Sequence, residues 1–155
     1  KQVFKTKSWV TRPLFYTCTP SKTDPTVAPE GKENIFVLVP TASGLHVDES
    51  HKKELIDSII TRIEARVGTK FADDIEVKEV RDIAYFEDTF NAYKGNAFGL
   101  AHTLKQTAVF RPRMQSRKLK NLFYVGQYTN PGTGVPIVVI SGKVVAKLVN
   151  EKLPL

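Results

Sequence analysis

Cysteine is almost absent from this sequence: Cys18 stands alone among 155 residues. That excludes an intrachain disulfide and a thiolate cluster of the kind that builds a structural zinc site, and a reducing, intracellular setting is expected. The three histidines, His46, His51 and His102, have no spacing that gives metal-ligand geometry, so no metal is expected. Long apolar runs are absent as well. The longest, Ile35 to Val39, has five residues, whereas a membrane-spanning helix needs about 20. Methionine occurs once, at Met114, and the chain opens on Lys1. It is therefore expected to be a piece of something longer, and no signal or transit sequence can be judged from its first residues.

The most telling absence is of acidic charge. From Thr89 to Asn150, 62 residues, there is no Asp or Glu, while Lys94, Lys105, Arg111, Arg113, Arg117, Lys118, Lys120, Lys143 and Lys147 lie within the span. The other 93 residues carry 14 bases and 16 acids, so the net charge of +7 comes from the C-terminal part. Such a span attracts anions, whether a phosphorylated cofactor, an anionic lipid surface or nucleic acid; it can also be merely a solvated basic face.

What is present is ordinary. Hydrophobic residues make up 41% and charged residues 25%, a soluble globular composition. The length suits one domain with a sizeable core. Leu14 to Thr19, ended by Pro20, reads as a strand. Residues 21–31 form a loop. Ile35 to Val39 reads as a second strand, buried on both faces because it is apolar throughout. After a turn-like stretch, 41–47, a helix is expected over about 50–68. Asp48 or Ser50 caps it, Leu55, Ile56, Ile59, Ile60, Ile63 and Val67 form its buried stripe, and Gly68 stops it. Ile75 to Ile83 shows mixed alternation and reads as a strand. Phe86 to Tyr93 suits one or two helical turns, broken by Gly95-Asn-Ala-Phe-Gly99. Arg111 to Lys120 is a basic loop, Leu122 to Val125 a short strand, and Val135 to about Leu153 a closing helix. The fold class expected is α/β, with α+β possible: a mixed sheet, one long surface helix and a C-terminal strand, loop and helix.

The segment that carries chemistry is Asn121-Leu-Phe-Tyr-Val-Gly126, then Gln127 to Pro136. A strand ending in glycine leads through a turn of small residues into a helix whose first amides have no internal partner. Those amides and the positive end of the helix dipole suit a negative or electron-rich group. Gly132 and Gly134 would let backbone approach a ligand closely, and Pro136 lacks an N–H that would be orphaned there anyway. Ser141-Gly142 suits close packing against a strand or a ligand. The spacing is neither the dinucleotide fingerprint nor a phosphate loop, and a tight connection with no ligand would look the same.

As a whole string, however, Asn121 to Gly126 followed by Thr129-Asn-Pro-Gly-Thr-Gly-Val-Pro136 resembles the C-terminal signature of the bacterial and fungal type phytoene desaturases, FAD-dependent carotenoid desaturases. Further matches run upstream in the same order: Pro20 to Pro25 with Ala28 to Gly31, Phe36 to Pro40, Phe86 to Asn91 with Gly95 to Gly99, Gln106-Thr107, and Phe110-Arg-Pro112. Two positions depart from the family pattern, Gln127 where a small residue is usual and Asn130 where histidine is usual. The family's nucleotide-binding βαβ unit has no counterpart here, so the resemblance implies a C-terminal fragment.

The resemblance implies the rest. FAD would be the cofactor, with Gly126 by the ribityl and pyrophosphate region, Gln127 at the flavin end of the loop, and Gly132, Thr133, Gly134, Val135, Pro136 and Ile137 near the pyrimidine edge of the ring. Residues 1–110 would belong to a substrate domain and 111–155 to the basic loop and FAD-domain strand and helix. Phe86, Phe90, Tyr93 and Phe98 would wall a channel for an apolar carotenoid, or else are ordinary core. The reaction would be desaturation, or that of a close relative such as an isomerase or ketolase, with catalytic residues unassigned. The basic loop would touch an anionic membrane, placing the protein in the cytoplasm or at a membrane periphery. Nucleic acid is disfavoured because no aromatic residue interleaves the cations of the loop. The alternative is a non-catalytic basic module: a flavin-free domain, or a binder of anionic lipid or nucleic acid.

Overall fold

The computed structural model describes residues 6–46 and 48–153; residue 47, the last of the expected turn, lies outside them. The chain packs as two units, the first ending at Gly95 and the second beginning at Asn96.

In the first unit, β1 (Tyr16–Cys18) pairs antiparallel with β2 (Phe36–Leu38), Tyr16 opposite Leu38 and Cys18 opposite Phe36. Prolines shape the long connection between them: short 3-10 turns start at Pro20 and Pro25, where the fixed proline φ suits a tight turn. The Asp24 carboxylate accepts from the Thr26 amide at 2.9 Å. Glu33 accepts from the Ser21 hydroxyl at 2.6 Å and pairs with Lys22, closing the loop on itself.

Helix α1 (Glu49–Val67) follows the sequence signals closely. Asp48 caps it by accepting from the His51 amide at 2.9 Å, and Gly68 ends it with φ +75°, donating to the Glu64 carbonyl at 2.8 Å. Ile59 and Ile63 of the expected stripe are buried, whereas Val67 is exposed. Arg62 lies across the Phe15 ring, 4.6 Å from its centroid, and donates to the Pro13 carbonyl at 2.7 Å, which holds the approach to β1 against the helix. Helix α2 (Ile83–Phe90) is capped by Asp82, which accepts from the Tyr85 amide at 3.0 Å. Lys52 of α1 pairs with Asp82 at 2.6 Å, so one ion pair joins the starts of the two helices.

Four expectations need correction. The mixed sheet is, among the described residues, a two-stranded antiparallel sheet. Ile35 to Val39 is not buried on both faces: Ile35 is 42% and Phe36 49% exposed. Ile75 to Ile83 forms no strand. Its alternation breaks at Glu79, Val77 stands 87% exposed, and the Asp82 cap draws Ile83 into α2. Leu122 to Val125 reduces to one bridge, Gln115 opposite Phe123.

The sizeable core is missing too. Buried large apolar side chains among the described residues are Ile59, Ile63 and Ile83, joined by Ala42 and Ala92, all in the first unit. Glu64 is buried beside them. Its carboxylate accepts from the Lys70 ammonium at 2.9 Å and from the amides of Phe71 and Ala72 at 2.8 and 3.0 Å. Those bonds favour the charged form and hold the group below its ordinary value of 4.5, at about 2. A carboxyl depressed in the folded state stabilises the fold fully above its unfolded pKa and loses that contribution as pH falls through the folded one. Glu64→Gln should therefore lower the unfolding midpoint at neutral pH, and the gap from the parent should close between pH 4.5 and about 2. A gap that stays constant across that window in chemical unfolding would oppose this account.

Candidate cofactor-binding loop

The second unit carries the glycine loop and helix α3 (Val135–Lys152). Its interior is polar. The buried residues here are Gly99, Arg111, Thr129, Gly132 and Ser141, with no large apolar side chain among them.

The loop is held from both ends. At its start the Gly126 amide donates to the Ser141 hydroxyl at 3.1 Å, and Ser141, on α3, is fully buried. Of the two small residues expected to suit close packing, Ser141 thus ties the start of the loop to the helix, whereas a Cβ on Gly142 would meet nothing within 4 Å. At its middle the Thr129 hydroxyl donates to the Pro112 carbonyl at 2.7 Å. The Arg111 guanidinium, 3% exposed, donates through Nε to the Thr129 carbonyl at 3.1 Å, through Nη1 to the Gln106 carbonyl at 3.0 Å, and through Nη2 to the Gln127 carbonyl at 2.7 Å. Asn96 to Gly99 lies against the same loop. A Cβ on Gly99 would meet the Gln127 carbonyl oxygen at 2.8 Å, the Thr133 hydroxyl donates to the Phe98 carbonyl, and the Tyr128 hydroxyl donates to the Asn96 carbonyl at 3.4 Å. The His102 ring sits where a Cβ on Gly132 would be, 2.8 Å from Cε1. Three stretches far apart in sequence, 96–99, 106–112 and 126–134, therefore converge on one loop.

The expected cofactor residues Gly126, Gln127, Gly132, Thr133, Gly134, Val135, Pro136 and Ile137 all lie on this loop and the first turn of α3. Gly126, Gly132 and Gly134 adopt φ of +102°, +137° and +128°, a region that side-chain-bearing residues rarely enter. A Cβ on Gly126 would meet nothing within 4 Å, so the loop is open there. Gly134 precedes α3 with no side chain capping the helix, and Pro136 in the first turn has no amide to satisfy. The Val135 and Ile137 amides are left as donors at the positive end of an 18-residue helix. No acidic side chain stands between Thr89 and Asn150 to oppose an anion there.

The expected substrate residues divide between the two units. Phe86 and Phe90 stack on α2 at 5.9 Å between centroids, with Tyr85 edge-on to both. Tyr93 is exposed in the turn beyond α2, and Phe98 is exposed in the second unit. The basic loop also needs one correction. Arg111 is not a surface cation but the buried centre of this unit, because the loop carbonyls turn inward to it. The other cations of the loop, Arg113, Arg117, Lys118 and Lys120, are exposed. The loop folds back on itself, the Tyr124 amide donating to the Met114 carbonyl at 2.8 Å and the Ser116 amide to the Leu122 carbonyl at 2.9 Å. Among the described residues no group of three or more His, Cys, Asp or Glu could hold a metal ion, and no helix is long and apolar enough to cross a membrane.

No family model matches the chain. Curated proteins do. A carotenoid 3,4-desaturase of Haloarcula japonica is 39% identical over 151 residues, 97% of this chain and 30% of its own length. A phytoene desaturase of Fusarium fujikuroi is 34% identical over 94% of this chain and 29% of its own length, and one of Phycomyces blakesleeanus is 40% identical over 83% and 24%. The chain matches one part of the carotenoid desaturases. It spans roughly a quarter to a third of the curated relatives' length, and these carotenoid desaturases are oxidoreductases. The resemblance seen in the motifs thus extends to the chain as a whole.

Proposed function

We propose that this chain acts as the C-terminal part of an FAD-dependent oxidoreductase that desaturates a carotenoid, phytoene-like polyene. The observation that carries the reading is the convergence of the 96–99, 106–112 and 126–134 stretches on one glycine loop in a chain that matches carotenoid desaturases. The loop suits a flavin nucleotide: an open face at Gly126, three glycines at positive φ, uncapped helix amides, and no Asp or Glu from Thr89 to Asn150. Val135 and Ile137 would donate hydrogen bonds to the electron-rich edge of the ring, and the positive end of α3 would favour the charge it gains on reduction. FAD itself, when bound, supplies the acceptance of hydride from the polyene. Exposed Val135, Val139, Ile140 and Val144 along α3 support packing of this helix on further polypeptide.

The test is made on the full-length protein that contains this chain. Purified, it should carry about one flavin per folded molecule and introduce double bonds into phytoene, whereas residues 1–155 alone should hold no flavin. Flavin-free full-length protein that leaves phytoene unchanged would refute the reading. The exposed cations of 113–120 add contact with an anionic membrane, which predicts retention on phosphatidylserine vesicles at low salt and release as salt shortens the screening length. Equal retention on neutral vesicles at every salt would oppose that contact.

A further inference from the structure

Arg111 invites a question that the proposed function leaves open. A guanidinium 3% exposed normally has a carboxylate beside it. Here its three hydrogen-bond partners are all main-chain carbonyls, those of Gln106, Gln127 and Thr129. A lysine at the surface would supply the same charge without the cost of burial. What burial adds is geometry. The planar fork fixes three acceptors at set angles, which a lysine ammonium cannot do.

The consequence lies in the peptide planes. In a planar trans peptide the carbonyl and the following N–H point in opposite directions. With the Gln127 and Thr129 carbonyls turned to Arg111, the N–H groups of Tyr128 and Asn130 are turned away from it. The arginine therefore decides which side of the loop presents acceptors and which presents donors. It also leaves a positive charge behind the loop, with no acid in the surrounding span to cancel it.

We propose that Arg111 is a positioning residue for the cofactor loop: its fork orients the 127–128 and 129–130 peptides so that the loop offers N–H donors and a positive field to the flavin nucleotide. This rests on the flavin reading above. The experiment uses the full-length protein and the variants Arg111→Ala and Arg111→Lys. Hydrogen exchange of peptides covering 126–134 should quicken roughly tenfold or more in both variants, because each loses charge-assisted bonds to the loop, while exchange within 49–67 stays unchanged. Flavin content should fall in both. Low-millimolar guanidinium chloride, far below denaturing concentrations, should restore flavin to Arg111→Ala, whereas equal sodium chloride or methylammonium chloride should not. A merely structural lesion would not be rescued by guanidinium. The proposal is overturned if exchange over 126–134 is unchanged in Arg111→Ala, if Arg111→Lys matches the parent in exchange and flavin content, or if guanidinium fails to restore the flavin. Should the parent protein hold no flavin, the flavin reading falls and with it the role assigned to Arg111, while the exchange measurement still shows whether the fork orders the loop.

Discussion

Gly95→Ala is expected to destabilise the first unit more than any other glycine replacement in it. Gly95 has φ +60°, and a Cβ built on it would lie 2.3 Å from Cγ2, 2.4 Å from the carbonyl oxygen and 2.8 Å from Cα of Ile83. Two of those atoms are backbone and cannot rotate away. Ile83 is the first residue of α2 and one of the few buried apolar side chains, so relief means moving the start of the helix. The turn before it has no slack: Asn91 and Lys94 already stand at φ +52° and +54°, the Gly95 amide donates to the Ala92 carbonyl at 2.9 Å, and the Lys94 carbonyl accepts from the Gly44 amide at 2.9 Å. The left-handed backbone costs about 1–2 kcal/mol for an L-residue and overpacking typically 1–3 kcal/mol more. Gly31→Ala is the control, since Gly31 has φ +74° with nothing within 4 Å of the added carbon and meets only the first of these costs. Urea midpoints of the two variants should differ clearly, Gly95→Ala being the lower. Equal midpoints would mean that the 91–95 turn yields more easily than its backbone contacts imply.

Helix α1 shows what the sequence makes legible. Its cap at Asp48 and its stop at Gly68 are local signals, found where the residues put them, and of its apolar stripe Ile59 and Ile63 are buried. Helix α3 is legible for the same reason, from Pro136 in its first turn to its close near Lys152. Strands are a different matter. Ile75 to Ile83 carries a mixed alternation, but a strand is completed by a partner, and pattern alone cannot supply one. The same holds for Leu122 to Val125, which finds only Gln115 to bridge.

At the candidate site, the glycines were readable because positive φ and a helix start leave marks in composition. Arg111 was not. Within Arg111-Pro-Arg-Met-Gln-Ser-Arg-Lys-Leu-Lys120 it looks like any other cation, and its burial follows from carbonyls brought in from residues 106, 127 and 129. The one available hint was the missing acid: where no carboxylate is near, a buried arginine needs neutral acceptors, and here three carbonyls supply them. The burial of Thr129, 2% exposed, is illegible for a similar reason, since its partner Pro112 lies 17 residues away.

Gly134→Val should abolish flavin retention in the full-length protein while leaving α1 and its surroundings folded. Gly134 stands at φ +128°, ψ 142° as the residue before α3, a combination open to glycine and strained for any other residue. Space within this chain is not the obstacle, because a Cβ there would meet only Ile137, at 3.6 Å or more, an ordinary contact. The damage comes instead from the backbone, and a β-branched side chain resists that conformation most. A strain of about 1–3 kcal/mol would be relieved by re-aiming the first turn of α3, and with it the Val135 and Ile137 amides. If those amides and the loop face the flavin, the same free energy appears as a loss in affinity of roughly tenfold to a hundredfold, and further loss follows if the isopropyl group meets the ring. If the loop is only a connection between strand and helix, the strain lowers stability and flavin content per folded molecule stays normal. The bound flavin of folded Gly134→Val, set against its unfolding midpoint, separates these outcomes. A normal flavin ratio would show that residues 126–137 serve the fold and not the cofactor.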